Sequence, residues 1–186
     1  MSDYTQLPHD LASPAADGAA DHLAGMKLPA VLLPASDGGT VDLGTLGGRV
    51  VLYVYPATGK PGVKLPEGWD QLPGARGCTP QSCSFRDHFA ELRGLGVAHV
   101  YGLSAQPVAD QAEAAARLHL PFGLLSDEAG ALREALGLPW FELGGTLYLK
   151  RMALTVEDGR ITKVFYPVFP PDRSATDVVD YLSKGR

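Results

Sequence analysis

The sequence predicts an α/β fold, a mixed sheet with helices on both faces. Three observations carry this expectation. Residues 49–55, Arg-Val-Val-Leu-Tyr-Val-Tyr, are an almost unbroken run of β-branched and aromatic side chains, the pattern of a strand covered on both faces. Strand-like and helix-like segments interleave after it, as in chains that layer helices on a sheet. The length of 186 residues, with 45% apolar and 20% charged side chains, gives one domain room for a full core.

Residues 1–24, rich in Ala, Asp, Pro and Gly, read as a poorly ordered arm with room for a short helix, so the folded domain is expected over 25–186. Residues 28–34 read as an edge strand, because their prolines cannot serve a central one. Asp37-Gly38-Gly39 is a hairpin turn, with residues 40–43 returning from it. The buried strand at 49–55 stops at Pro56, so the next segment stands at the carboxyl end of a central strand, where α/β folds commonly place their chemistry. Residues 58–76 form a long Pro- and Gly-rich connection, and loops of this length are usually functional or disordered. Trp69, Leu65 and Leu72 can anchor it, and it reads as a lid or specificity loop or as a tolerated insertion. Phe85, Phe89, Leu92 and Leu95 recur at helical spacing and predict one helix to about Leu95.

Residues 96–105 read as a second buried strand and residues 107–120 as a helix opened by Pro107. A short strand is expected over 121–127, then a helix over 128–136 closed by Gly137. Residues 138–145 read as a connection, and 146–156 as one strand of a hairpin turned by Glu157-Asp158-Gly159. A final helix is expected over 172–184.

Both cysteines lie in Gly77-Cys-Thr-Pro-Gln-Ser-Cys-Ser-Phe-Arg-Asp87. Thr79 and Pro80 are helix-start residues, which sets Cys78 at or just inside a helix N-terminus. That end carries unpaired N–H groups and about half a positive charge, and both favour the reactive thiolate. Cys83 stands five residues on, ~7.5 Å along a continuous helix and turned by ~140°. Bonded cysteines need Cα atoms ~4.4–6.8 Å apart, so joining these two requires the helix start to unwind. The pair suits alternation between dithiol and disulfide. The competing reading is two buried small apolar residues.

The net charge of −5, without a basic cluster, argues against nucleic acid or an anionic membrane as partner. No apolar run reaches the ~18 residues of a membrane span. The polar, acidic start lacks a signal pattern, so a cytoplasmic protein is expected. A cysteine pair in the cytosol is more often catalytic, redox-sensing or metal-binding than a permanent staple. Cys78, Cys83 and His88 are spaced by five, which spreads them around a helix, and no Cys-x-x-Cys is present, so a metal or a thioredoxin-type dithiol site is not expected. His22, His99 and His119 have no partner arrangement legible in the sequence.

The run Cys78-Thr-Pro-Gln-Ser-Cys-Ser-Phe-Arg-Asp87 resembles the active-site helix of the Q-type peroxiredoxins, also called bacterioferritin comigratory proteins, and the likeness extends over about residues 27–184. It implies a thioredoxin-like fold with peroxiredoxin elaborations and a thiol peroxidase that needs no metal or organic cofactor. Cys78 would attack hydrogen peroxide or an organic hydroperoxide, Cys83 would resolve the sulfenic acid, and thioredoxin or a related dithiol protein would reduce the disulfide. The family is often monomeric. Its active-site arginine falls in the strand before the Glu-Asp-Gly turn, which selects Arg151 over Arg76 and Arg86. Its Pro-x-x-x-Thr-x-x-Cys pattern is met in part: Pro56 matches by position, Ala75 stands where Thr belongs, and Thr58 is the candidate to be folded back to Cys78, with Thr79 expected to be committed to capping. That departure motivates a second reading, a redox sensor or partner-binding domain with little turnover.

Overall fold

The computed structural model describes Leu7 and residues 10–185. In chain order the strands and α-helices are β1 (Leu32–Pro34), β2 (Thr40–Asp42), β3 (Arg49–Val54), α1 (Cys78–Asp87), α2 (Phe89–Gly94), β4 (Val97–Ser104) and α3 (Val108–Arg117). They continue with β5 (Leu124–Ser126), α4 (Ala131–Leu136), β6 (Trp140–Leu143), β7 (Thr146–Leu149), β8 (Met152–Glu157), β9 (Arg160–Phe165) and α5 (Ser174–Lys184). The main sheet has the order β5-β4-β3-β8-β9, so the run at 49–55 supplies its middle strand, as expected. β4 lies parallel to β3, with Tyr53 opposite Gly102, and β8 lies antiparallel, with Tyr53 opposite Ala153.

The reason β3 lacks polar alternation is visible in its two faces. Val50, Leu52 and Val54 enter one core with Leu33, Leu125, Leu132 and Leu154. Val51, Tyr53 and Tyr55 enter the other with Phe85, Leu92 and Val178. Each fully buried Val or Leu contributes ~1.5–3 kcal/mol over exposure, so both registers of the strand are needed inside. Helices cover both faces, as the α/β reading requires.

Four expectations are corrected. The arm expected over 1–24 is docked in its described part: Ala20 and Leu23 are buried in the first core, and a turn of 3-10 helix spans Asp21–Leu23. Asp17 accepts from Lys150 Nζ and Tyr166 Oη, both at 2.7 Å, and these partners hold its carboxyl well below the usual range. Residues 1–6, 8 and 9 of that arm lie outside the described residues. His22 also finds a partner, the Leu136 carbonyl at 2.9 Å.

The helix expected to run to Leu95 is divided at His88, whose ring Nδ1 donates to the Ser84 carbonyl (2.9 Å) that its own amide also uses. The connection expected over 138–145 contains β6, paired antiparallel with β7 in a separate ribbon. Gly144 and Gly145, with φ of +59° and +78°, make the turn between them. In consequence the strand expected over 146–156 is interrupted at Lys150–Arg151: β7 leaves to pair with β6, and β8 joins β3. The Asp158-Gly159 turn holds, with φ of +46° and +76°.

Candidate active site

Cys78 opens α1, immediately after Gly77, the helix cap, whose φ is +98°. This differs from the expected start in one respect. Thr79 is already inside the helix, so its hydroxyl is not spent on capping. Cys78 is 3% exposed, and its Sγ accepts from Arg151 Nη2 at 3.2 Å. The sulfur also lies 3.5 Å from the Ala75 carbonyl. Arg151 therefore does reach the cysteine, and it does so from the break between β7 and β8, not from within a strand.

The guanidinium is itself 3% exposed and is held on several sides. Nη1 donates to Gln81 Oε1 at 2.5 Å. Nη2 donates also to the carbonyls of Gly74 (3.3 Å), Ala75 (3.3 Å) and Arg76 (2.8 Å). Gln81 is fully buried and oriented by its own donation to Ser174 Oγ at 3.2 Å. Gln81 and Ser174 thus position Arg151, and sequence reasoning missed both. Gln81 lies within the cysteine motif, whereas Ser174 lies far along the chain on α5, where nothing marks it. A planar fork with fixed donors suits this role, because it can span a side-chain amide, a loop and a sulfur together.

The other two arginines are committed elsewhere. Arg76 lies 3.4 Å from Asp70. Arg86 donates to Asp87 (2.9 Å) and the Leu118 carbonyl (2.9 Å), and its charge acts on Cys83. Burial pushes the Cys83 thiol up from its ordinary value, with Arg86 opposing in part. Cys83 is therefore a neutral thiol at pH 7 while α1 is intact.

Pro56 lies two residues past the end of β3, and its carbonyl accepts from Ser104 Oγ at 2.8 Å. Thr58 is not folded back to the sulfur. Its amide (2.9 Å) and its hydroxyl (3.3 Å) both donate to Gln106 Oε1, because Gln106, just past β4, captures the start of the loop. The hydroxyl-bearing residue that lines the recess at Cys78 is Thr79. The long loop is pinned at both ends, by Arg117 Nη2 on the Gly59 carbonyl (2.9 Å) and by Arg151 on residues 74–76. Trp69 anchors its middle: it is buried, 4.9 Å from the Tyr148 ring and 6.3 Å from that of Phe141.

Both cysteines are free and lie on one continuous helix, so the ~7.5 Å rise between them applies. The segment between them is tied down. Tyr53 stacks on Phe85 at 4.4 Å and donates to Ser82 Oγ at 3.1 Å. Burial pushes the Tyr53 phenol far up, so it stays a donor. Tyr53→Phe leaves Ser82 without that partner and is expected to cost ~1 kcal/mol in a urea titration.

The chain matches the Redoxin family model over residues 23–182. It is 32% identical over 159 residues to the chloroplastic peroxiredoxin Q of Oryza sativa subsp. japonica, covering 85% of this chain and 65% of that one, so it spans about two thirds of that relative's length. It is 31% identical over 159 residues to the chloroplastic peroxiredoxin Q of Sedum lineare, covering 85% of this chain and 76% of that one. The crystal structure of peroxidoxin BcpB from Mycobacterium tuberculosis superposes with a TM-score of 0.70 at 27% identity, covering 88% of this chain and 97% of that one. With the motif at 78–87, the thioredoxin-like sheet and these relatives together, the chain belongs to the redoxin family and, within it, to the peroxiredoxins of the Q type.

Proposed function

We propose that the protein is a thiol-dependent peroxidase. The observation that carries this is the guanidinium of Arg151 at 3.2 Å from Cys78 Sγ, at the start of a helix that holds a second cysteine five residues on. The Cys78 thiolate attacks one peroxide oxygen. An S–O bond forms as the O–O bond breaks, and the electron pair leaves with the departing oxygen, which takes up a proton as water or an alcohol. Arg151 stabilises charge on that oxygen, and Thr79, in place of Thr58, offers a hydroxyl in the recess. Pro56 follows β3 at the carboxyl end of the central strand.

Cys78 is then a sulfenic acid. The first turns of α1 unwind, the Cys83 sulfur attacks, an S–S bond forms, and the hydroxyl leaves as water with the Cys83 proton. Loss of burial brings the Cys83 thiol back toward its ordinary value at this step, which favours attack. Thioredoxin or a similar dithiol protein supplies two electrons and two protons by exchange and becomes the disulfide. The recycling step requires a reducing compartment, which a cytoplasmic setting supplies.

The test is mass spectrometry of the whole chain before and after one equivalent of peroxide. The expected product has lost two hydrogens, and its digest links Cys78 to Cys83; two thiols left unlinked would sink the reading. A second reading, a sensor oxidised once without turnover, draws on the capture of Thr58 by Gln106. Sustained NADPH consumption with thioredoxin and its reductase separates the two, since a sensor consumes none.

A further inference from the structure

We infer that the N-terminal arm is a strap that sets the rate of disulfide formation, with Leu7 and Asp17 as positioning residues. The inference rests on the peroxidase reading above and concerns its second step. That step needs the first turns of α1 to unwind, and the arm lies on the parts that must let go. Leu7 is partly buried and lines the recess at Cys78. A Cβ on Gly77 would stand 3.0 Å from Leu7 Cδ2, so this leucine rests on the cap of α1. A Cβ on Gly74 would stand 3.5 Å from Pro14 Cβ, and the Gly74 carbonyl is one of the acceptors that hold Arg151. Asp17 accepts from Tyr166 and from Lys150, and Lys150 is the chain neighbour of Arg151 at the break between β7 and β8. The arm thus touches the helix cap, the loop that holds the guanidinium and the break that presents it.

The strap is fastened firmly at one end and weakly along the rest. Ala20 and Leu23 are buried in the first core, and His22 reaches the Leu136 carbonyl. Gly18, with φ of +69°, stands just before that anchor, and none of residues 10–18 is buried. A cavity of about 270 Å³ separates Pro14 and Asp17 of the arm from Leu72, Phe141 and Arg151 of the body. Segments with so few buried apolar contacts open at the lowest cost, and an exposed ion pair such as Asp17–Lys150 adds little to close them. Residues 7–17 can therefore lift while the anchor and the domain stay folded. Seated, the arm adds its contacts to the wound form of α1, and unwinding at Gly77 gives up the one from Leu7. The two chemical steps feel this differently. Attack on peroxide uses the wound form, which is the major one, so loosening it several-fold changes that rate little. Disulfide formation uses the minor, unwound form and scales with its population.

The experiment follows the full chain by quenched-flow mass spectrometry after mixing with hydrogen peroxide, in the parent and in the double variant Leu7→Ala/Asp17→Lys. The first change removes the contact with Gly77, and the second sets a like charge against Lys150. Two reactions compete for the sulfenic acid of Cys78. Cys83 attacks it to give the disulfide and water, or a second peroxide adds an oxygen to give the sulfinic acid and water. The variant is expected to form the disulfide about three- to fivefold faster, and to need about that much more peroxide before sulfinic acid equals disulfide. Its rate constant for the first oxidation of Cys78 should stay within about twofold of the parent. A general loss of structure would do the reverse, slowing the first step. An unchanged rate of disulfide formation overturns the strap and leaves the peroxidase reading standing. A slower first step without faster disulfide formation reduces the arm to a structural prop and overturns the strap as well. A parent whose Cys78 is not oxidised at all overturns the peroxidase reading, and this inference with it.

Discussion

Replacing Arg151 with leucine is expected to slow the reaction of Cys78 with hydrogen peroxide by about 10²–10³-fold, the usual cost of removing one donor aimed at developing charge. The sulfur loses the guanidinium that donates to it at 3.2 Å. Stability falls as well. Gln81 Oε1 and the carbonyls of residues 74–76 all use this guanidinium, and each buried acceptor left unsatisfied costs about 1–3 kcal/mol. Arg151→Lys separates the two effects. It restores a charge near the sulfur but is too short and too compact to span Gln81, the loop and the thiolate together. Its rate should lie between those of the leucine variant and the parent, with a urea midpoint close to that of the leucine variant. Ser174→Ala acts one step further out: it frees Gln81 to turn, and should lower the rate less than either. A leucine variant reacting within about threefold of the parent would remove Arg151 from the mechanism.

The parts of this site that could be read from the sequence are those fixed by local chemistry. The cysteine motif opens a helix after Gly77, and five residues of helix set the distance between the sulfurs. β3 was legible because alternate residues enter different cores, which forces an unbroken apolar run. Arg151 was reached through family likeness, but the device that presents it was not. β6 is four residues behind Pro139, too short to show a period, and its pairing with β7 is what breaks the strand at Lys150 and turns Arg151 toward the cysteine. Thr58 went to Gln106, 48 residues on, and Gln81 to Ser174, 93 residues on. Neither bond leaves a trace in local spacing, because polar partners across a fold are set by packing and not by period. The docked arm escaped for a related reason: Ala20 and Leu23 fill a core whose other members come from distant strands.

Gly77→Ala is expected to be the most damaging single-methyl change at the site. Two penalties meet there. The backbone φ of +98° lies in the left-handed half of conformational space, where an L side chain costs about 1–2 kcal/mol. The new methyl would also stand 2.5 Å from Pro171 Cγ and 2.8 Å from its Cβ, and overpacking of this kind costs about 1–3 kcal/mol. Together the loss is about 2–5 kcal/mol. It falls on the residue before the nucleophile, so Cys78 is displaced from Arg151 even in molecules that stay folded, and the peroxide rate should drop with stability. Two controls apportion the cost. Gly96→Ala has a similar φ of +83° but nothing within 4 Å of the added methyl, so it should lose only the backbone share. Adding Pro171→Ala to Gly77→Ala removes the 2.5 Å contact with Cγ but leaves Cβ at 2.8 Å and Leu7 Cδ2 at 3.0 Å, so it should return part of the packing share while keeping the backbone share. Equal urea midpoints for Gly77→Ala and Gly96→Ala would mean that Pro171 yields freely, and that the start of α1 is not held against the segment leading into α5.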